Sequence, residues 1–457
     1  MKEKWIENAK TVSLVILVVL SFVLTGSLWY MTPAYEEKKD IYRPLHYIGD
    51  IKYNQKQVYQ LTSPPFLLLH EAGNHYWVTA KDNSYNEWLK TLSEIKIRHY
   101  EKKKPNANDW KYLFQQATGI ELFFFHDLPI DTISAFIHID EPDLSFLKDL
   151  TKVSRIWLYS DPQTKQINIW FISDFRGEIV QATTDLSIFQ FEKQFNLSEK
   201  TDLVTFEAIP ANNKPPWDPA NNNIPFSRII YLPNQPINAK KYTYHLQEIN
   251  INDMKQFLFS VDNITPTELS NGELVYAYDG RTLTYNKQDN YMVYIGPMPE
   301  NPDKEKSLVT DIIQINKFMS DHRGWTGNYL LEKVQRQGSA NRYTFRLVHQ
   351  DYPVFWATEN HLSKQYLDTI QFQVEKQEKR YLRYMYTLPE KPTNVVERSL
   401  PDKKSLLSIL TERKIPLDKV ERIFPGYRAS KKEKQVVLEP VWVVMTVDGK
   451  QHLIALP

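Results

Sequence analysis

The chain opens on a long run without polar relief. From Thr11 to Tyr35 no side chain is charged, and Val12 to Leu24 is nearly all Val, Leu, Ile and Phe. Such a run has no polar face to turn toward water, so it predicts a transmembrane helix over 11–31, with 1–10 as a short tail. As a helix the uncharged stretch reaches about 37 Å, enough for a hydrocarbon core roughly 30 Å thick. Trp29 and Tyr30 close the run where amphipathic rings favour the headgroup region, and Pro33 then stops the helix. Ser21 and Thr25 lie one turn apart with Gly26 beside them, a face small enough for another helix to approach. The most apolar centre, about 13 residues followed by Thr25-Gly26-Ser27, also fits a cleaved signal peptide, which is the competing reading.

Beyond residue 40 the periods are short. Helical spacing is found at Trp88–Ile97 and Trp110–Ala117, and apolar runs predict strands at Phe66–His70, His75–Ala80 and Glu121–Phe125. Arg155–Ser160 and Gln166–Ser173 flank a Pro-containing turn and predict a hairpin. Ala211–Pro225, rich in Asn and Pro, breaks every period and reads as a linker or long loop. A helix is expected next at Asn252–Phe259, then strands Glu273–Tyr278 and Thr282–Asn286 around Asp279-Gly280, then a strand Tyr291–Ile295. A second break, Gly296–Lys306, precedes a helix at Leu308–Asp321 and strands at Tyr329–Gln335, Tyr343–Val348 and Val354–Ala357. A charged hairpin over Thr369–Tyr386, a helix Lys404–Arg413 and strands Val436–Leu438 and Val441–Val447 complete the pattern. Helix followed by meander thus occurs at least twice. The class is α+β: one N-terminal transmembrane helix, then a multi-domain body of antiparallel sheets with packed helices, divided 40–205, 226–298 and 305–457.

Composition then narrows the function. Lys plus Arg (56) balance Asp plus Glu (55), with no like-charge run longer than Lys102–Lys104, so no nucleic-acid footprint is present. The absence of cysteine excludes disulfides, thiolate metal sites and thiol catalysis. His70-Glu71-Ala72-Gly73-Asn74-His75 is one residue longer than the H-E-x-x-H zinc motif. Five apart on a helix, the two imidazoles diverge by about 140°. Gly73 and Asn74 favour a turn, so the string reads as a hairpin instead. Phosphate-binding loops and nucleophile elbows are missing, and no catalytic, cofactor-binding or metal residue is assigned. Unpatterned acids leave a glycosidase-type carboxylate pair open, as in an anchored wall hydrolase. Trp157 and Trp170, or Trp325, Trp356 and Trp442, either line a groove for a wall polymer or, as their strand contexts favour, pack in the core. Lys2, Lys4 and Lys10 before the apolar run are matched by Lys38, Lys39 and Arg43 after it, so charge does not set orientation. The usual signal-anchor arrangement places the N-terminus in the cytoplasm and the body outside a single-pass cell membrane protein.

Several stretches together resemble a known family. Glu7–Val12 leading into the apolar run and ending at Leu28-Trp29 is similar to the start of YycH (WalH) proteins, regulators of the YycFG (WalKR) two-component system of Gram-positive bacteria. Gly119–Phe125 with Leu128-Pro129, Tyr276–Tyr285 with Tyr294, Tyr343–Phe355 and Leu438–Val444 agree in order and spacing. The resemblance covers essentially the whole chain. It implies a non-enzymatic, signal-anchored protein whose last two domains share the fold of the companion YycI (WalI). It also implies that both proteins meet the sensor histidine kinase YycG (WalK) at the membrane, through transmembrane and extracytoplasmic contacts, and modulate it. Homo-oligomers are compatible with this arrangement.

Overall fold

The computed structural model describes residues 2–30, 48–139, 150–174, 177–195, 203–221, 228–259, 261, 263–298, 307–357, 368–375 and 378–455. Met1–Arg43 forms one unit and Pro44–Pro457 another. The first unit contains helix α1, Lys2–Tyr30. Its apolar side chains are exposed on every side, Leu14 at 64%, Leu17 at 61% and Phe22 at 75%. Among the described residues no helix is long and apolar enough to cross a membrane. Within α1 the side chains described without a break cover residues 10–25, a part of the 11–31 span expected from the sequence.

In the second unit the strands of residues 66–233 form one ten-stranded sheet among the described residues. In chain order these are β1 Phe66–Glu71, β2 Asn74–Thr79, β3 Lys96–Lys103, β4 Thr118–Pro129, β5 His138–Ile139, β6 Lys152–Asp161, β7 Gln166–Ser173, β8 Glu178–Thr184, β9 Thr205–Pro210 and β10 Ile229–Pro233. Their spatial order is β10-β9-β2-β1-β4-β6-β7-β8-β3-β5, antiparallel except for β3 beside β5. The expected β1–β2 hairpin is present: Glu71 pairs with Asn74 across Ala72 (φ 48°) and Gly73 (φ 87°). Two positive φ values are what a two-residue turn matched to strand twist requires, and the glycine accepts the second without strain. The Arg155–Ser173 hairpin also forms, with Trp157 directly opposite Trp170.

The helix expected at Trp88–Ile97 runs instead from Asn83 to Glu94. Ile95 is extended (ψ 146°), and Lys96 opens β3. The reason is visible in β3 itself: Lys-Ile-Arg-His-Tyr-Glu-Lys-Lys buries little besides Ile97 and is bulged at His99 (φ 57°). A strand this polar, one short strand from the sheet edge, carries no apolar alternation to announce it. The helix Ala107–Gln115 starts at a capping box in which Asn106 accepts from the Asp109 amide and Asp109 from the Asn106 amide. Phe114 of that helix packs edge-on against Trp157, ring centres 4.9 Å apart.

Strands from residue 237 onward form a fourteen-stranded sheet and a two-stranded ribbon among the described residues. Helix-then-meander occurs three times here. Ile251–Phe259 precedes strands Leu274–Tyr278, Arg281–Asn286 and Tyr291–Pro297. Leu308–Asp321, capped by Ser307 at 3.1 Å from the Thr310 amide, precedes Tyr329–Gln337, Ala340–His349, Thr369–Glu375 and Glu378–Tyr384. Lys403–Glu412 precedes Val420–Lys432, Gln435–Thr446 and Gln451–Ile454. Tyr291–Pro297 pairs along its length with Glu378–Tyr384, so strands of the 226–298 and 305–457 stretches share the sheet. Of the breaks read from the sequence, 222–225 and 299–306 lie outside the described residues.

One expectation is corrected near the C-terminus, where Val436–Leu438 and all but the last residue of Val441–Val447 are parts of a single strand, Gln435–Thr446. Pro440 lacks an amide donor, yet it interrupts nothing. On one flank the strand pairs with Ile237–His245 only up to Leu438, and with Gln451–Ile454 only from Trp442. Pro440 falls in the gap between these partners.

The two sheets meet around Phe424, whose ring lies 6.0–6.1 Å from those of Phe66, Phe123, Phe125 and Phe355. Arg422 fixes the contact by donating to the Phe124 carbonyl at 2.9 Å and to Asp127 at 2.6 Å. Both acceptors lie in the stretch where β4 slips its register against β6. Trp157, Trp170, Trp325 and Trp442 are buried in this body and Trp356 half-buried, as the core reading of the tryptophans requires.

Candidate functional site

Three places carry unusual chemistry. The first is α1. Ser21 and Thr25 are exposed, and the Thr25 hydroxyl donates back to the Ser21 carbonyl at 2.8 Å, which satisfies it within the helix. The side-chain surroundings of Gly26, Trp29 and Tyr30 lie outside the described residues.

The second is the hairpin string that sequence reading weighed against zinc. His70 and His75 do come together, as a cross-strand pair with their Nδ1 atoms 2.7 Å apart. His70 Nε2 is 3.3 Å from Glu121 Oε2, and Tyr231 donates to the same oxygen at 2.5 Å. Arg155 reaches the other Glu121 oxygen at 3.3 Å and Asp174 at 2.7 Å. Trp157 stacks on the His70 ring at 4.2 Å. A carboxylate beside Nε2 selects the tautomer with its proton there, so His70 Nδ1 accepts from His75 Nδ1–H.

Burial pushes the imidazoles toward the neutral form: His70 is lowered, and His75, also repelled by His70, falls to about 3. Burial raises the Glu121 carboxyl, but Arg155, His70 and Tyr231 together outweigh it and hold the group below its ordinary value. The Tyr231 phenol goes up, through burial and the adjacent carboxylate. Glu121 is 0% exposed, Arg155 2% and His70 1%. Among the described residues no group of three or more metal-ligating side chains is present. With each charge paired and its centre buried, the cluster cross-links β1, β2, β4, β6 and β10 and offers no open coordination or reaction position.

The third was not singled out from the sequence. A cleft of about 650 Å³ opens between residues 48–63 and three stretches of the second sheet region, 326–330, 347–350 and 387–390. The short helices Ile51–Asn54 and Val58–Thr62 form one wall. This wall is sewn across by backbone bonds. Gly49 N donates to the Arg323 carbonyl at 3.0 Å, Asn54 bonds the Trp325 backbone in both directions at 2.9 and 3.0 Å, and Asn316 donates to the Lys56 carbonyl at 3.0 Å. A Cβ at Gly49 would stand 2.2 Å from the Trp325 carbonyl oxygen, so only glycine permits the approach.

Lys56 lines the cleft and donates to the Asn328 side-chain oxygen. Burial alone brings its ammonium down to about 7. Gln60, Tyr85, Asn86, His349 and Gln350 line the same cleft. His349, lowered by burial to about 4, is neutral and bonds the Tyr244 hydroxyl at 2.9 Å. At the rim Lys52 lies 3.3 Å from Asp50 and 3.9 Å from Glu390, both well exposed. Nothing in the primary structure marks Lys56: it sits between Gln55 and Gln57, with partners some 270 residues away.

Comparison with known proteins agrees with the resemblance read from the sequence. The YycH protein N-terminal domain model matches residues 7–199 and the YycH protein C-terminal domain model matches 227–456. A curated relative from Bacillus subtilis (strain 168), described as "Two-component system WalR/WalK regulatory protein YycH", is 21% identical over 466 residues, covering 97% of this chain and 95% of the relative. The crystal structure of YycH from Bacillus subtilis superimposes with a TM-score of 0.66 at 18% identity, over 90% of this chain and 99% of that one, which establishes a shared fold. With both domain models matched in order, the chain belongs to the YycH family.

Proposed function

We propose that this protein is a membrane-anchored, non-catalytic regulator that modulates a sensor histidine kinase of the WalK (YycG) type together with a YycI-type companion. The supporting observation is the match to both YycH domain models, with the relative named as a WalR/WalK regulatory protein. In this reading α1 is the anchor, with Trp29 and Tyr30 at the outer headgroup boundary, the N-terminus in the cytoplasm and the body, 40–205, 226–298 and 305–457, outside. What supports this is the uncharged run Thr11–Tyr35 in the sequence and the exposed apolar side chains of α1, which favour a hydrocarbon surrounding. Ser21, Thr25 and Gly26 present the face on which a kinase or companion helix packs. Regulation then amounts to contacts that differ between the kinase's two signalling states and so bias their populations.

Chemical crosslinking of intact membranes followed by capture of the full chain tests this. A sensor histidine kinase and a YycI-type protein should be recovered, and replacing Ser21, Thr25 and Gly26 by Leu should reduce their yield with the body still folded. Recovery of neither protein overturns the proposal; undiminished yield from the triple variant removes the helix face from it.

A further inference from the structure

The cleft holds a half-buried cation that no carboxylate answers. Lys56 is bonded to a neutral amide oxygen, and among the described residues no acidic side chain contributes to its charge state. The two acids of the cleft, Asp50 and Glu390, stand at the rim beside Lys52. A desolvated ammonium without a counter-charge is costly to the fold, and one that faces an accessible space marks a place where an anion supplies what the protein omits.

The walls define the rest of the occupant. Gln60, Asn86, Gln247, Asn328 and Gln350 offer amide donors and acceptors suited to hydroxyl groups. An apolar ligand would strand these amides without partners, and a cationic one would meet Lys56. About 650 Å³ is the size of a small-molecule site. We infer that this cleft binds a small anionic ligand, a carboxylate or phosphate carried on a polyhydroxylated body, with the oxyanion seated on the Lys56 ammonium. Residues 48–63 form one wall, the helix Asn83–Glu94 contributes Tyr85, Asn86 and Leu89, and the second sheet region supplies most of the rest, so the ligand tightens the junction among them. The inference stands apart from the kinase reading, because it is measured on the purified chain alone.

The test is calorimetric titration of the full-length protein in zwitterionic nanodiscs with glycerol 3-phosphate, with gluconate and with neutral glycerol. Binding of at least one anion with a dissociation constant at or below about 1 mM is expected, with glycerol inert. Which anion binds separates a phosphate source from a carboxylate source. Lys56→Met should weaken binding at least about tenfold, Lys56→Arg should restore most of it, and Lys52→Gln at the rim should change it less than about threefold. Circular dichroism of each variant separates lost binding from lost fold, and a Lys56→Met protein that does not fold leaves the Lys56→Arg and Asn86→Leu titrations to decide. Asn86→Leu should weaken binding by about threefold or more. No binding of either anion at about 10 mM, equal binding of glycerol, or binding indifferent to Lys56 and Asn86 overturns the inference.

Discussion

The Glu121 cluster and the Lys56 cleft both put charge inside the protein, and they do so in opposite ways. Around Glu121 each charged group has an opposite one in reach: Arg155 lies between Glu121 and Asp174, with His70 and Tyr231 on the remaining carboxylate oxygen. Every charge is paired, and Glu121 itself is shut away from water. Lys56 has a neutral partner and an open side. Burial and a shifted pKa are common to both, so neither by itself marks a working site. Missing counter-charge together with access does.

The largest expected effect breaks the balanced side. Arg155→Met leaves Glu121 buried without compensation and should cost about 3–5 kcal/mol in denaturant unfolding, whereas the joint replacement Glu121→Gln, Arg155→Met should recover part of that loss. A single-variant cost no greater than that of a surface substitution would erase the distinction. Next comes the wall of the cleft. Gly49→Ala drives a methyl into the Trp325 carbonyl and should cost about 1–3 kcal/mol, read as a lower unfolding midpoint.

The smallest loss is on the unbalanced side. Lys56→Met removes a desolvated charge together with one hydrogen bond, and at pH 7 it should leave the unfolding midpoint unchanged or raise it. Its pH dependence is more telling. The folded Lys56 ammonium releases its proton near 7, while the unfolded chain keeps it to about 10.4. Between these values the unfolded state binds more protons, so stability relative to Lys56→Met rises with pH. The penalty is fully present below pH 7 and gone above the unfolded value. A flat difference between wild type and variant across pH 7–10 would show that Lys56 is not desolvated.

Local signals were readable where a residue's partners are near in sequence. The His70–His75 turn, the Asp279-Gly280 turn and the helix Leu308–Asp321 stand in the structure as their spacing predicts, because glycine placement and apolar period act within a few residues. The polar strand Lys96–Lys103 was missed because its stabilisation comes from Glu178–Thr184, not from its own pattern. The string at His70 exposed the proximity of two imidazoles but not what surrounds them: Glu121, Arg155 and Tyr231 arrive from three other strands. Lys56 was invisible for the same reason. Its environment is made by residues 326–350, and no window of sequence contains both.

The bond between Asn54 and Trp325 joins residues 271 positions apart, and Gly49 docks on the same far segment. During synthesis the wall at 49–63 emerges early, yet the carbonyls it needs lie about 270 residues further along the chain. That wall therefore waits, undocked, until the Leu308–Asp321 helix and its neighbours have formed. The short stretch that follows the first unit docks late, and the cleft behind it is complete only once residues 387–390 have joined.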